Sequence, residues 1–377
     1  MLRRIAAGLL TLVLAVALVG PAQAFSYRGQ QDGQSTGPTA TGQAIAWHQR
    51  QVTMGLNFGP RWNDSARLAL QQWNEAGADF QWDANSYSAQ PCVYDNINST
   101  GWSDTSCSGD WGSVIATTRV SMSRIGGTWY ITDTDVVFNS RLQYDTYAGP
   151  QRYDANGQPV YDFVRVALHE FGHAAGLLHP DEAGQQVDAI MNTGHRSLAL
   201  DHLQDDDIQG LRRLYSDARE ERDIVFDGYN GYEIVDTRIH IDLDTLRSYR
   251  QTRSGELILE IRASAAGNSE DYYLLGSIEL GRLPAGAERR LNRLSSAYTP
   301  PPAGLHGISL ALVESGQAAP LYRQAIGYME TRSDSFDSNA QLAQTSPTPA
   351  TGGDGGGGST GLGLLLAAAL GLGRRRG

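Results

Sequence analysis

The stretch His169-Glu170-Phe171-Gly172-His173-Ala174-Ala175-Gly176-Leu177-Leu178-His179 decides the reading of this chain. If it is helical up to Gly176, His169 and His173 fall on one face, one turn apart, where two imidazoles can reach a single ion. Gly176 accepts the positive φ that ends a helix and swings the chain back, which brings His179 to the same ion from a loop. Three imidazoles fill three positions of a tetrahedral zinc and leave the fourth for water. Glu170, beside His169, is then placed to take a proton from that water and to hand it to a leaving amine. Histidines buried for packing alone explain one such residue, but not five matched positions.

Working outward, the 377 residues give room for two ordinary domains. The formal net charge is −11, and arginine supplies every fixed positive side chain, because lysine is absent. Such an acidic balance argues against a nucleic-acid surface, which needs a positive field against phosphate. Residues 1–24 place Arg3 and Arg4 before an apolar run that ends on Ala22-Gln23-Ala24, the layout of a secretory signal peptide. In an exported protein Cys92 and Cys107 read as one disulfide closing a polar surface loop.

Residues 25–44 are rich in Gln, Gly, Ser and Thr and read as a flexible lead-in. Residues 45–216 interleave strand-like runs with helical patterns, among them Phe163 to Gly176, and predict an α/β or α+β domain. Residues 217–335 carry short alternating runs separated by turn-formers such as Asn230-Gly231, and predict an all-β, sandwich-like accessory domain. A linker at 336–360 leads to an apolar stretch and Arg374-Arg375-Arg376 in 361–377. That tail resembles the GlyGly-CTERM class of bacterial sorting signals, which implies transient membrane association, a sorting peptidase as partner, and a secreted or cell-surface location.

HEFGHAAGLLH resembles the HExxHxxGxxH signature of the metzincin metallopeptidases, which implies an α+β catalytic domain at 45–216 with a twisted mixed sheet, long helices and a zinc helix. The resemblance implies a methionine turn beneath the metal, for which Met191 in Ala189-Ile190-Met191-Asn192 is placed. The catalytic stretch is most similar to the matrixins, through Arg165-Val166-Ala167 ahead of the first histidine and through Asp206-Asp207-Ile208-Gln209-Gly210-Leu211 to Tyr215. It implies an extended peptide substrate pairing with an edge strand around Val114, Ile115 and Ala116, continuing to Val120, with Arg165 lining the pocket for the residue after the scissile bond. Pro180 departs from the serine usual in matrixins, and Thr193 stands where serralysins carry a tyrosine ligand, so no fifth protein ligand is expected.

One catalytic zinc is therefore expected, held by His169, His173 and His179, with Glu170 as the base. Calcium is admitted but assigned to no residues. Asp205, Asp206 and Asp207 read as a helix N-terminal cap before they read as a calcium cluster. His195 and His202 read as surface or supporting residues. The expected activity is hydrolysis of extracellular protein or peptide. The competing readings are a surface adhesion protein with a vestigial metal domain and a zinc amidase acting on cell-wall peptides.

Overall fold

The computed structural model describes residues 25–29, 35–36, 44–86, 89–193, 200–218, 223–266 and 268–331. The expected signal peptide, linker and sorting tail, and His195, lie outside the described residues.

The first half is built on a six-stranded mixed sheet. Its path runs Ala46–Trp47, Thr128–Asn139, Ser99–Ser103, Gln51–Asn57 and Gln81–Asn85, all paired in parallel. The sixth strand, Ala116–Ile125, pairs antiparallel with Thr128–Asn139 and among the described residues has no strand on its other side. Among the described residues three helices accompany the sheet: α1 (Pro60–Asn74), α2 (Phe163–Ala175) and α3 (Asp205–Tyr215). Helix α1 starts on Pro60, whose missing N–H costs nothing at a helix entrance, and Asn63 accepts the preceding Phe58 N–H. Trp73 on α1 is fully buried and donates its indole N–H to Leu168 O on α2, which fixes how the two helices meet. The helices and the sheet share one apolar core that includes Met54, Leu56, Trp73, Val136 and Phe171.

Phe25 to Arg28 is not the flexible lead-in that composition suggests. Ser26–Arg28 is a strand antiparallel to Leu177–Leu178, and Phe25, Ser26 and Tyr27 are all buried. The reason is local: two aromatic side chains within three residues carry enough apolar surface to anchor a segment that is polar on average.

The second half contains two four-stranded antiparallel sheets. One sets Arg238–Ser248 between Ile224–Val235 and the short strands Glu288–Arg290 and Leu294–Ala297. The other runs Tyr272–Gly281, Leu257–Ala265, Gly304–Glu314, Tyr322–Thr331. Alternate residues of both sheets, such as Ile239, Ile241, Leu259, Ile261, Leu310 and Leu312, form one common core. Asn230-Gly231 is not a turn here. It lies inside a strand at a register shift between Tyr229 and Gly231, and the hairpin turns instead at Asp236, whose φ is 53°.

The two halves are packed together. Tyr328 of the last strand belongs to the apolar core of the first half, and Arg323 lies 3.1 Å from Glu75 at the end of α1. Cys92 and Cys107 are joined in a disulfide, as the polar loop suggested. A closure of this length stabilises by about 3 kcal/mol through the entropy of the unfolded chain.

Candidate metal and active site

Helix α2 begins at an N-cap that the sequence supplies, since the Asp162 carboxylate accepts Arg165 N–H. It ends at Gly176 with φ 108°, and the N–H of that glycine returns to His173 O. His169 and His173 lie one turn apart on this helix, and His179 follows the tight exit, as the spacing predicts.

The three rings converge. His169 Nε2 is 3.1 Å from His173 Nε2 and 3.1 Å from His179 Nε2, and the latter two are 2.9 Å apart. Each Nδ1 is engaged on the far side: His169 with Ile190 O at 2.7 Å, His173 with Leu177 O at 2.9 Å, and His179 with Glu182 at 3.1 Å. With the protons held at Nδ1, three Nε2 lone pairs face one point. That arrangement is repulsive by itself and is what a zinc ion requires. Burial lowers the His169 and His179 pKa values to about 4 and about 3 and pushes His173 well down, so the imidazoles are neutral ligands at neutral pH. The donor set fits a single zinc.

Glu170 is 2 % exposed, and burial pushes its carboxyl up to about 8 against the opposing effect of the Thr118 hydroxyl, which lies 2.6 Å from Oε2. Met191 is buried, and its N–H is held by the Asp207 carboxylate. A methyl group on Gly172 would fall 2.3 Å from Met191 Sδ and 2.9 Å from the Trp73 ring, so this helical position admits only glycine without rearrangement. Gly172→Ala is therefore expected to destabilise by about 1 to 3 kcal/mol through overpacking. That exceeds the helix-propensity gain of about 1 kcal/mol that alanine brings elsewhere. Urea unfolding measures it, and a midpoint unchanged or raised contradicts this packing.

Several supporting residues were not visible as such in the sequence. Asp207 is fully buried in the first turn of α3, where it accepts the N–H groups of Ile190, Met191 and Gln204. It is both the capping-box partner of the N-cap residue Gln204 and the clamp on the main chain of Ile190 and Met191, and burial holds its carboxyl at about 7. Asp181 takes the N–H and hydroxyl of Thr193, which ties the loop after His179 to the exit of that turn. A run of acids before an apolar helix was the one signal for Asp207, and it spoke for the cap. His202 does not join the triad; its Nδ1 is 2.9 Å from Asp201.

The edge strand begins later than expected. Val114 O and Ile115 O accept from Asn139, and Ile115 O also accepts from Tyr144, so these two residues are fastened inward ahead of the strand. Ala116 is its first residue. Because Asn139 N–H donates to Ile115 O, ladder alternation directs the main-chain groups of Ala116, Thr118 and Val120 toward the open side.

Arg165 is 2 % exposed and closed into a network instead of lining an open pocket. Its guanidinium donates to Gly149 O and lies 3.7 Å from the Asp162 carboxylate. Asp162 also accepts Tyr147 N–H and the hydroxyl of Tyr328 from the second half.

Residues 60–216 match the family described as matrixin. Matrix metalloproteinase-23 of Rattus norvegicus is 41% identical over 68 residues, which is 18% of this chain and 16% of that protein. Interstitial collagenase of Bos taurus is 32% identical over 85 residues, 22% of this chain and 17% of the relative. The chain thus spans less than a fifth of the length of these curated relatives. Among solved structures, myroilysin aligns over 45% of this chain and 82% of its own, at 15% identity and a TM-score of 0.24. Residues 60–216 are thus similar to the matrixins, a metallopeptidase family that implies zinc binding.

Proposed function

We propose that this protein is an exported zinc endopeptidase, and that His169, His173 and His179 hold its single zinc. The observation that carries the reading is the convergence of three neutral Nε2 atoms beside a buried carboxyl on the same helix. A zinc ion held there lowers the pKa of water toward about 7 and polarises a carbonyl. The chain's own residues do the rest. The open side of Ala116–Ile125 pairs with an extended peptide through main-chain hydrogen bonds, which brings the scissile carbonyl across the site. Glu170, set near neutrality by burial, is basic enough to take the proton of the attacking water and acidic enough to release it to the leaving amine. Asp207 and Met191 keep the floor of the site rigid.

The signal-peptide pattern at 1–24 and the resemblance of 361–377 to a sorting tail support a location at the exterior or the cell surface, with protein or peptide as substrate. Residues 217–335 serve as an accessory module that braces the catalytic half, through contacts such as Tyr328 with Asp162.

Digestion of a mixed peptide library that includes cell-wall peptides tests the reading. An endopeptidase cuts ordinary peptides, and cutting stops with a chelator. Cleavage confined to cell-wall peptides selects the amidase reading, and no cleavage by the zinc-loaded chain selects the adhesion reading.

A further inference from the structure

Thr118, the third residue of the edge strand, is fully buried. Its hydroxyl oxygen lies 2.6 Å from Glu170 Oε2 and 3.0 Å from the main-chain oxygen of the same residue. Among the described residues it is the hydrogen-bond partner of this carboxyl. A glutamate side chain has three rotatable torsions, and a base that swings through several rotamers meets its proton in only a fraction of encounters. A hydroxyl that donates its one proton to Oε2, 3.0 Å from the carbonyl oxygen of the same residue, holds the side chain against its own helix turn and removes that freedom.

We propose that Thr118 is the positioning residue of Glu170: its hydroxyl ties down Oε2 and leaves Oε1 for the reacting water. A hydroxyl carries one donor and two acceptor sites. The same atom therefore donates to Oε2 of the carboxylate, or accepts from the protonated acid while donating to Glu170 O, without moving. The position also couples the clamp to the substrate, because the main chain of Thr118 belongs to the open strand edge.

The inference rests on Glu170 as the base, and the test separates the two. In the full zinc-loaded chain, Thr118→Val keeps the shape and removes the hydroxyl. It is expected to lower kcat on the order of 10- to 100-fold. KM is expected to stay within about 2-fold, with one zinc per chain retained. Thr118→Ser restores the hydroxyl and returns kcat to within about 3-fold of the wild type. A crystal structure of Thr118→Val is expected to show Glu170 rotated or in several conformers. Unchanged kcat in Thr118→Val, a serine variant as impaired as the valine one, or Glu170 found in its wild-type position in that crystal structure overturns the proposal. Thr118→Ala makes the same comparison if valine disturbs the strand. If the wild-type protein cuts no peptide, the base reading fails, and the crystallographic comparison still decides the clamp.

Discussion

Glu170→Gln is expected to lower peptide hydrolysis by roughly 10²- to 10⁴-fold while leaving one zinc per chain. Glutamine has nearly the same shape and keeps an oxygen for the Thr118 hydroxyl, 2.6 Å from Oε2 in the wild type, so the helix and the histidine rings should stay in place. What it loses is the ability to accept a proton. Burial sets the Glu170 carboxyl at about 8, close to the value at which one group both removes a proton and returns it near neutrality. Steady-state rates on a peptide cut by the wild type, with metal content measured on the same samples, give the result. A variant that keeps its zinc and at least half the wild-type rate removes Glu170 from the chemistry.

Arg165→Leu is expected to destabilise the protein by about 3 to 5 kcal/mol, because it strips the cation from a buried ion pair and leaves the other charge behind. Asp162 is the partner left behind, and it is also the cap of the metal helix and the acceptor of Tyr328 from the second half. The pH dependence has a definite sign. Burial raises the Asp162 pKa from its ordinary 3.8 to about 6, against the pull of Arg165. A carboxyl that holds its proton more tightly in the folded state makes stability fall as pH rises between those two values. Without Arg165 the folded pKa climbs further, and the fall continues to higher pH. The deficit should be larger at pH 8 than at pH 5. Denaturant unfolding at the two pH values measures it. A loss below about 1 kcal/mol at both, as expected for a surface residue, contradicts the network.

The same arginine shows where the sequence was legible and where it was not. Its position ahead of His169 pointed to a pocket by resemblance, but its surroundings come from Gly149, Tyr147 and Tyr328, which no local spacing reveals. The metal triad was legible because helix periodicity and one left-handed glycine determine it within eleven residues. Met191 was expected only through the resemblance to the metzincins. Asp207, Asp181 and Thr118 were not, since each acts on a group 12 to 52 residues away. Composition misjudged Phe25 to Arg28, where two aromatics outweigh their polar neighbours. Asn230-Gly231 shows that a strong turn dipeptide yields to a strand ladder when Tyr229 and Tyr232 pair with the neighbouring strand on either side.

Stepwise addition of zinc to chelated full-length protein, with the rate of peptide cleavage followed at each step, decides whether one zinc held by His169, His173 and His179 drives hydrolysis. No cleavage is expected at the start, followed by a linear rise that levels off at one zinc per chain. Full cleavage by metal-free protein, or none once one zinc is bound, rules out a one-zinc peptidase.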